Sequence, residues 1–256
     1  MKLYTMRSLV MVMAALLVAA CSHWTAKVPE TSPMAAASID GLLHLNQGLT
    51  DLKGLGQMKL IHSGQTQSAR MAWAETLSEN KLRMDIMGAP GVTMATIACD
   101  GKWVYLRLNQ VNRFYKKKNG QRLFEKMVGI PITIQDIVQL LAGKIPLSPY
   151  RSAILMEKKS DHDFRVLELI DKWGRTRQRI FLASDQIHPM AFEVLKSNGA
   201  VLYRVEFLEM MNLQNYRLPK YLVLSNAEGE HLELVVEKYW PNQPLPSSKF
   251  ILEPQN

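Results

Sequence analysis

The chain has 256 residues, 47% of them hydrophobic and 21% charged, and it carries a formal net charge of +8 at pH 7. This length and an ordinary hydrophobic fraction allow one large domain with a sizeable core or two small domains. The positive charge does not indicate a nucleic-acid-binding protein, because the chain begins with the pattern of an export signal.

The first 20 residues predict a signal peptide. Lys2 and Arg7 form a basic region, and residues 8–18 form an apolar stretch that is too short to span a bilayer. Removal of residues 1–20 would take two positive charges away and leave +6 on the mature chain.

The residues at the end of this leader resemble the lipobox of bacterial lipoproteins. The motif is Val18-Ala19-Ala20-Cys21, and the resemblance implies that the Cys21 thiol is lipidated and becomes the first residue after cleavage. Three acyl chains would anchor firmly, because each buried CH₂ contributes about 0.8 kcal/mol. In Gram-negative lipoproteins an aspartate after the lipidated cysteine is the usual signal for retention in the inner membrane. This chain has Ser22 there, so the resemblance implies an outer-membrane anchor with the domain facing the periplasm. The alternative is an ordinary cleaved signal with an incidental cysteine.

The mature chain then predicts a tether and a first helix. Residues 21–37 carry Pro29, Pro33 and several small or polar residues and show no periodicity, which favours a flexible tether. Ser38 is a suitable N-cap, and apolar residues at helical spacing predict an amphipathic helix over residues 39–53. We find no internal boundary after it, so residues 38–256 are expected to form one domain.

A meander of strands follows, and its clearest part is residues 81–108. Apolar and charged residues alternate over Lys81–Met87, as they do in a strand with one buried face. Turn signals at residues 88–91 and 100–101 separate it from two further strands. We predict other strands over residues 57–63, 68–76, 113–117, 153–158, 164–170, 176–183, 189–197, 200–210, 218–225 and 231–239.

Two helices interrupt this pattern, over residues 123–128 and 134–141. Thr133 is the predicted cap of the second helix and Gly143 its stop signal. Phe250 and Leu252 are expected to hold the C-terminal tail. The predicted fold class is mainly β with α: one sheet of about ten strands that wraps three helices.

A basic cluster surrounds the turn at Asn119 and Gly120 and is either a solvated hairpin tip or a site of attraction to anionic headgroups. Its members are Arg113, Lys116, Lys117, Lys118 and Arg122.

The sequence contains no recognised motif of a catalytic site or a metal site. The six histidines lack metal-ligand spacing, and His162, between Asp161 and Asp163, is expected in a solvated turn. Cys99 is expected to be a small buried strand residue and not a nucleophile. No nucleophile elbow or phosphate loop is present. We therefore expect no enzymatic activity, no metal and no cofactor.

Methionine is distributed through the predicted strands and helices, and its flexible side chain adapts either to an irregular core or to an apolar ligand. The residues concerned are Met58, Met71, Met84, Met94, Met127, Met156, Met190, Met210 and Met211.

Together these features resemble the LolA/LolB superfamily, and within it the LolB outer-membrane lipoprotein receptors. The resemblance rests on residues 83–93, the turn at residues 100–101, and the motifs at residues 129–132 and 137–143. It implies an incomplete antiparallel β-barrel, or half-barrel, whose concave apolar face is covered by helices. It also implies a monomer that accepts acylated lipoproteins, or other lipids, from a periplasmic LolA-like carrier and releases them into the outer membrane. There are two alternatives to this lipid-binding function. One is a structural or interaction lipoprotein with a filled core, and the other is an envelope hydrolase.

The resemblance also implies a set of site residues. Those expected to contact acyl chains are Met71, Trp73, Leu82, Met84, Ile86, Val104, Leu106, Ile134, Ile137, Val138 and Leu141. LolB has a membrane-inserting leucine in the loop after the strand that corresponds to Lys81–Met87. Here Pro90 takes that position, with Met87 and Val92 as the nearest apolar side chains.

Overall fold

The computed structural model describes residues 29–88, 91–120, 123–158, 164–185 and 187–254. Within them the chain forms one antiparallel sheet of thirteen strands and three α-helices. The helices are α1 (Pro33–His44), α2 (Leu123–Val128) and α3 (Ile134–Leu141), and the strands are β1 (Asp51–His62), β2 (Gln65–Thr76), β3 (Lys81–Met87), β4 (Thr93–Cys99), β5 (Trp103–Leu108), β6 (Arg113–Lys118), β7 (Ser152–Lys158), β8 (Phe164–Ile170), β9 (Thr176–Leu182), β10 (Pro189–Leu195), β11 (Val201–Leu213), β12 (Tyr216–Ser225) and β13 (His231–Pro241).

The sheet consists of two meanders that meet at its centre. Its order is β6-β5-β4-β3-β2-β1-β13-β12-β11-β10-β9-β8-β7, so strands that follow each other in sequence are neighbours, and β1 also pairs with β13. β6 and β7 are the two edges. The connection between them carries α2 and α3 from one edge to the other, across the apolar face of the sheet. The expected incomplete barrel is confirmed, with thirteen strands instead of about ten.

The predicted position of the first helix is wrong. The helix is Pro33–His44, and it begins at Ser32, whose Oγ accepts a hydrogen bond from the Ala35 amide at 3.2 Å. Its first residues therefore lie within the segment predicted to be a tether, and Ser38 is a buried residue of the helix. Asp51–His62, part of which was expected to be helical, is a central strand paired on both sides.

Two glycines explain why β1 can lie at the centre of the sheet. Gly54 faces Trp73 of β2 and Tyr239 of β13 in the strand register, and a Cβ at this position would overlap the Trp73 indole ring. The rings of Trp73 and Tyr239 pack edge to face with centroids 5.6 Å apart. At Gly56 a Cβ would lie 2.5 Å from the Val235 carbonyl oxygen. These glycines admit large side chains and close backbone contacts, whereas the sequence pattern suggested the end of a helix.

The basic cluster lies on an edge strand and not at a hairpin tip. β6 pairs with β5 through the turn at residues 109–112, and Asn119 and Gly120 lead on towards α2. The Lys116 ammonium stacks on Trp103 at 5.0 Å from the ring centroid. Lysines on an exposed edge strand are a common protection against pairing with another chain. The side chain of Arg122 lies outside the described residues.

The C-terminal tail is held as expected. Phe250 and Leu252 are buried, and Leu252 packs with Ala98 and Tyr105 on the outer face of the sheet. Among the helices that the structure describes, none combines the length and apolar character needed to cross a bilayer.

Candidate functional site

A cavity of about 440 Å³ lies between the inner face of the sheet and the covering helices α2 and α3. This volume is within the range of about 300–1,000 Å³ that is typical of small-molecule sites. The apolar lining residues are Met58, Leu60, Ala69, Met71, Met84, Ile86, Met94, Ala95, Ile97, Leu108, Val111, Met127, Val128, Ile137, Leu140, Leu141, Leu222, Leu224, Leu232 and Leu234.

The lining is almost free of polar groups. Only Gln67, Ser68 and Gln110 are polar, and no charged side chain is among the lining residues that the structure describes. Five of the lining residues are methionines, whose unbranched side chains can adjust to guests of irregular shape. Such a surface favours a hydrocarbon ligand over one that needs hydrogen bonds.

The mouth of the cavity is at one rim of the sheet. Gln67, Ser68, Gln110 and Val111 are exposed although they line the cavity, so they mark its opening. At this rim β1, β3, β5 and β12 end, and β2, β4, β6 and β13 begin. Loops from both sides of the sheet centre therefore surround the opening.

The helical cover is fastened at the mouth through Gly129. This residue ends α2 with a φ of +72°, and a Cβ there would lie 2.7 Å from both the Glu230 carboxyl carbon and His62 Nδ1. His62 Nδ1 and a Glu230 carboxylate oxygen are 2.6 Å apart, and Asn226 donates to the Gly129 carbonyl at 3.0 Å. The close approach of α2 to the rim requires glycine at this position.

The other end of the cover is fastened through Asn46, beyond the capping box of Thr133 and Asp136 that starts α3. The Asn46 amide donates to the carbonyls of Ala142 at 2.7 Å and Arg217 at 2.8 Å, and its oxygen accepts from the Arg217 amide at 2.8 Å. Both ends of the cover are thus held by hydrogen bonds, while apolar contacts with the sheet lie between them.

The strand that lines the cavity also carries a fully buried carboxyl group. Glu75 lies on the same face of β2 as Met71 and Trp73, and both of its carboxyl oxygens lack a hydrogen-bond partner among the described residues. Burial raises the pKa of Glu75 well above its usual value, and burial together with the Glu75 charge raises the pKa of Tyr239. Glu75 is not part of the cavity lining.

Comparison with known proteins identifies the fold. No protein-family model and no curated protein matches the sequence. A solved structure of a DUF1329 family protein from Desulfovibrio piger has a TM-score of 0.65 and 11% identity, covering 86% of this chain and 98% of its own. An outer membrane lipoprotein-sorting protein domain from Vibrio parahaemolyticus has a TM-score of 0.60 and 18% identity, covering 85% of this chain and 94% of its own. A LolA superfamily protein from Nitrosomonas europaea has a TM-score of 0.59 and 14% identity, covering 86% of this chain and 99% of its own.

The chain has a LolA-like fold. The similarities are to the LolA superfamily and its structural relatives, and they do not single out LolB. Because all three identities are below 25%, they concern the fold, and the function has to be argued from the cavity.

The LolA-like fold brings some of the expected acyl-chain residues together and leaves others apart. Met71, Met84, Ile86, Ile137 and Leu141 line the cavity. The remaining six are packed in the hydrophobic core without lining it, and they are Trp73, Leu82, Val104, Leu106, Ile134 and Val138.

The sequence reasoning did not assign the leucines of β12 and β13 to the site. Leu222, Leu224, Leu232 and Leu234 line the cavity because β13 pairs with β1, a contact between the two ends of the domain. The methionines were the available signal, since five of the nine that the sequence singled out line the cavity: Met58, Met71, Met84, Met94 and Met127.

The loop expected to insert into a membrane is at the mouth of the cavity. Val92 has 64% of its surface exposed, Met87 at the end of β3 is half-buried, and the Gly88 amide donates to the Val92 carbonyl at 3.0 Å. Pro90, Cys21 and His162 lie outside the described residues.

Proposed function

We propose that this protein is a lipid-binding protein of the bacterial cell envelope, and that it has no catalytic activity. Its cavity would shield acyl chains of lipoproteins or other lipids during their localisation to the outer membrane. The observation that carries this proposal is the open apolar cavity under a helical cover. A filled core would instead have supported the alternative of a structural envelope lipoprotein.

The physical argument is the cost of exposing hydrocarbon to water. An acyl chain with about 14 buried methylenes would lose roughly 11 kcal/mol on transfer to water, at about 0.8 kcal/mol per CH₂. Transfer without an energy source therefore requires a second apolar environment that receives the chain directly. The methionine-rich cavity has the chemistry for that role.

The finer parts of the proposal concern anchoring and partners. We infer that Cys21 is lipidated and holds the domain at the outer membrane, facing the periplasm, where a LolA-like carrier could deliver cargo. Val92 and Met87, with Pro90 between them in sequence, would face the bilayer at release. The likeness in fold to a lipoprotein-sorting domain supports this role in localisation.

Two matched substitutions in β2 test whether the cavity binds lipid. Ala69 lines the cavity near its mouth, and Ala72 lies three residues later on the opposite face of the strand. We expect Ala69→Trp to abolish binding of a fluorescent fatty acid and co-purification of lipid detected by mass spectrometry. Ala72→Trp is expected to leave both unchanged. Equal binding by the two variants, or no lipid bound to the natural chain, would contradict the proposal.

A cellular experiment tests the role in localisation. Depletion of the protein is expected to move acylated lipoproteins from the outer-membrane fraction to the inner-membrane fraction, and the natural chain is expected to restore them. Restoration by Ala69→Trp to the same level as by Ala72→Trp would show that the cavity is not needed. In that case a structural lipoprotein would be the better description.

A further inference from the structure

The turn between β8 and β9 presents an exposed tryptophan that is flanked by cations. Trp173 has 61% of its surface exposed. The Lys172 ammonium lies 4.5 Å and the Arg175 guanidinium carbon 4.6 Å from the centroid of the Trp173 ring. A large exposed ring in this setting has an apolar body and a positively charged surround.

A second aromatic and a further cation lie beside this turn. The Arg151 amide donates to the Ile170 carbonyl at 2.7 Å, which places Arg151 and the exposed Tyr150 next to the end of β8. We call the combined surface the aromatic-basic patch, and it consists of Tyr150, Arg151, Lys172, Trp173 and Arg175.

The patch has little negative charge of its own. The acidic residue of the turn is Asp171, which is buried and accepts hydrogen bonds from the Trp173 amide at 2.8 Å and the Arg175 amide at 3.0 Å. Asp171 also pairs with the Arg175 guanidinium at 2.9 Å. Arg151 and Lys172 form no ion pair with any residue that the structure describes, so they remain free for an external anion.

The patch lies on the same rim of the sheet as the mouth of the cavity. The antiparallel register runs from His62 at the end of β1, through His231 at the start of β13, to Ile170 at the end of β8. All the turns at these strand ends belong to one rim. The patch and the mouth therefore share one rim of the sheet, with the turns between β9 and β13 along the rim between them.

We propose that the aromatic-basic patch docks the domain on a membrane surface with anionic headgroups. Tryptophan and tyrosine rings settle at the boundary between headgroups and acyl chains, and nearby arginine and lysine side chains attract anionic lipids. The patch consists of five residues, three on the turn between β8 and β9 and two just before β7. A stable protein interface needs about 800 Å² and 20–30 residues per partner, whereas a tethered domain needs only a weak additional contact. This inference rests on the proposed function, because the rim that it brings to the bilayer is the rim that carries the mouth of the lipid-binding cavity.

Fluorescence quenching by lipids with brominated acyl chains tests this contact in the full-length chain incorporated into vesicles. All variants carry Trp24→Phe, because Trp24 is three residues from the proposed anchor at Cys21 and would itself be quenched. We expect part of the tryptophan emission to be quenched, and Trp173→Phe to remove that part. Trp240→Phe is the matched control, because Trp240 is also exposed and has the Lys238 ammonium 4.9 Å from its ring centroid. Trp240 lies at the end of β13, on the opposite rim, so its replacement is expected to leave the quenching unchanged.

Charge variants test the headgroup preference. In vesicles that contain phosphatidylglycerol, Arg151→Ala and Lys172→Ala are each expected to lower the ratio of docked to undocked domain by about 5-fold. Lys238→Ala, near Trp240, is expected to have no effect. The ratio should also fall in vesicles of phosphatidylcholine alone and at high salt.

The outcomes separate this inference from the proposed function, because fatty-acid binding is measured in the same samples. Quenching that survives Trp173→Phe, or that does not depend on anionic lipid, would overturn the membrane contact. So would an unquenched Trp173 whose turn crosslinks to an envelope protein. If the protein binds no fatty acid but Trp173 is still quenched, the cavity proposal is refuted and the membrane contact stands.

Discussion

Replacement of Glu75 should remove a pH dependence that this residue imposes on stability. Glu75 is fully buried in β2, and the strand register places Leu52 and Leu82 beside it. Burial raises its pKa well above the usual value, so the folded protein keeps the proton on this carboxyl group to a higher pH than the unfolded chain does. The unfolded chain ionises the same group at about pH 4.3.

The sign and size of the effect follow from this difference. Below the unfolded pKa both states are protonated, and the stability associated with neutral Glu75 is fully present. As the pH rises towards the folded pKa, that stability is lost at about 1.4 kcal/mol for each pH unit, because the unfolded chain releases a proton that the folded chain retains.

Two variants separate ionisation from the cost of burying a polar group. Glu75→Gln keeps the shape and the buried polar atoms but cannot ionise, so it should remove the pH dependence contributed by this residue. Glu75→Leu removes the polar group as well and should be more stable than Glu75→Gln by about 1–3 kcal/mol, since a buried polar group without a partner costs that amount.

The measurement is the free energy of unfolding by urea at several pH values from about 4.3 upwards, where the unfolded carboxyl ionises before the folded one. The difference in free energy of unfolding between the natural chain and Glu75→Gln should grow steadily with pH. A constant difference would mean that Glu75 has the same pKa in both states. A Glu75→Leu variant less stable than Glu75→Gln would show that the buried polar group has a partner in solution.

Two further predictions concern the attachment of the helical cover. Asn46→Ala should lower the free energy of unfolding by about 1–3 kcal/mol, because the carbonyls of Ala142 and Arg217 lose their donor. Amide hydrogen exchange should then accelerate more in α3 than in β12. Unchanged exchange in α3 would contradict the role of Asn46. Gly129→Ala should cost about 1–3 kcal/mol, because its φ of +72° is strained for alanine and the Cβ would press on Glu230; full stability in thermal unfolding would refute this.

Short-range signals were reliable for most of the strands and for the second and third helices. Alternation over Lys81–Met87 reports which side chains face a core, and Thr133 and Gly143 satisfy helix ends through nearby atoms, so each can be recognised locally. The first helix was placed too late in the chain because Leu49 and Leu52 continue the helical spacing of Ile39 and Leu42. Pairing with two distant strands, and not local preference, makes Asp51–His62 a strand.

The sequence by itself determined which residues are apolar, where most elements begin and end, and that the chain is mainly β with one sheet and three helices. The tertiary structure alone decided that β1 lies beside β13, and hence that Leu222 and Leu234 share a cavity with Met71 and Met84. It also decided which apolar side chains meet a neighbour and which border an empty space. The physical reason is that hydrophobicity specifies that a face is buried, whereas the space opposite that face depends on elements far away in the sequence.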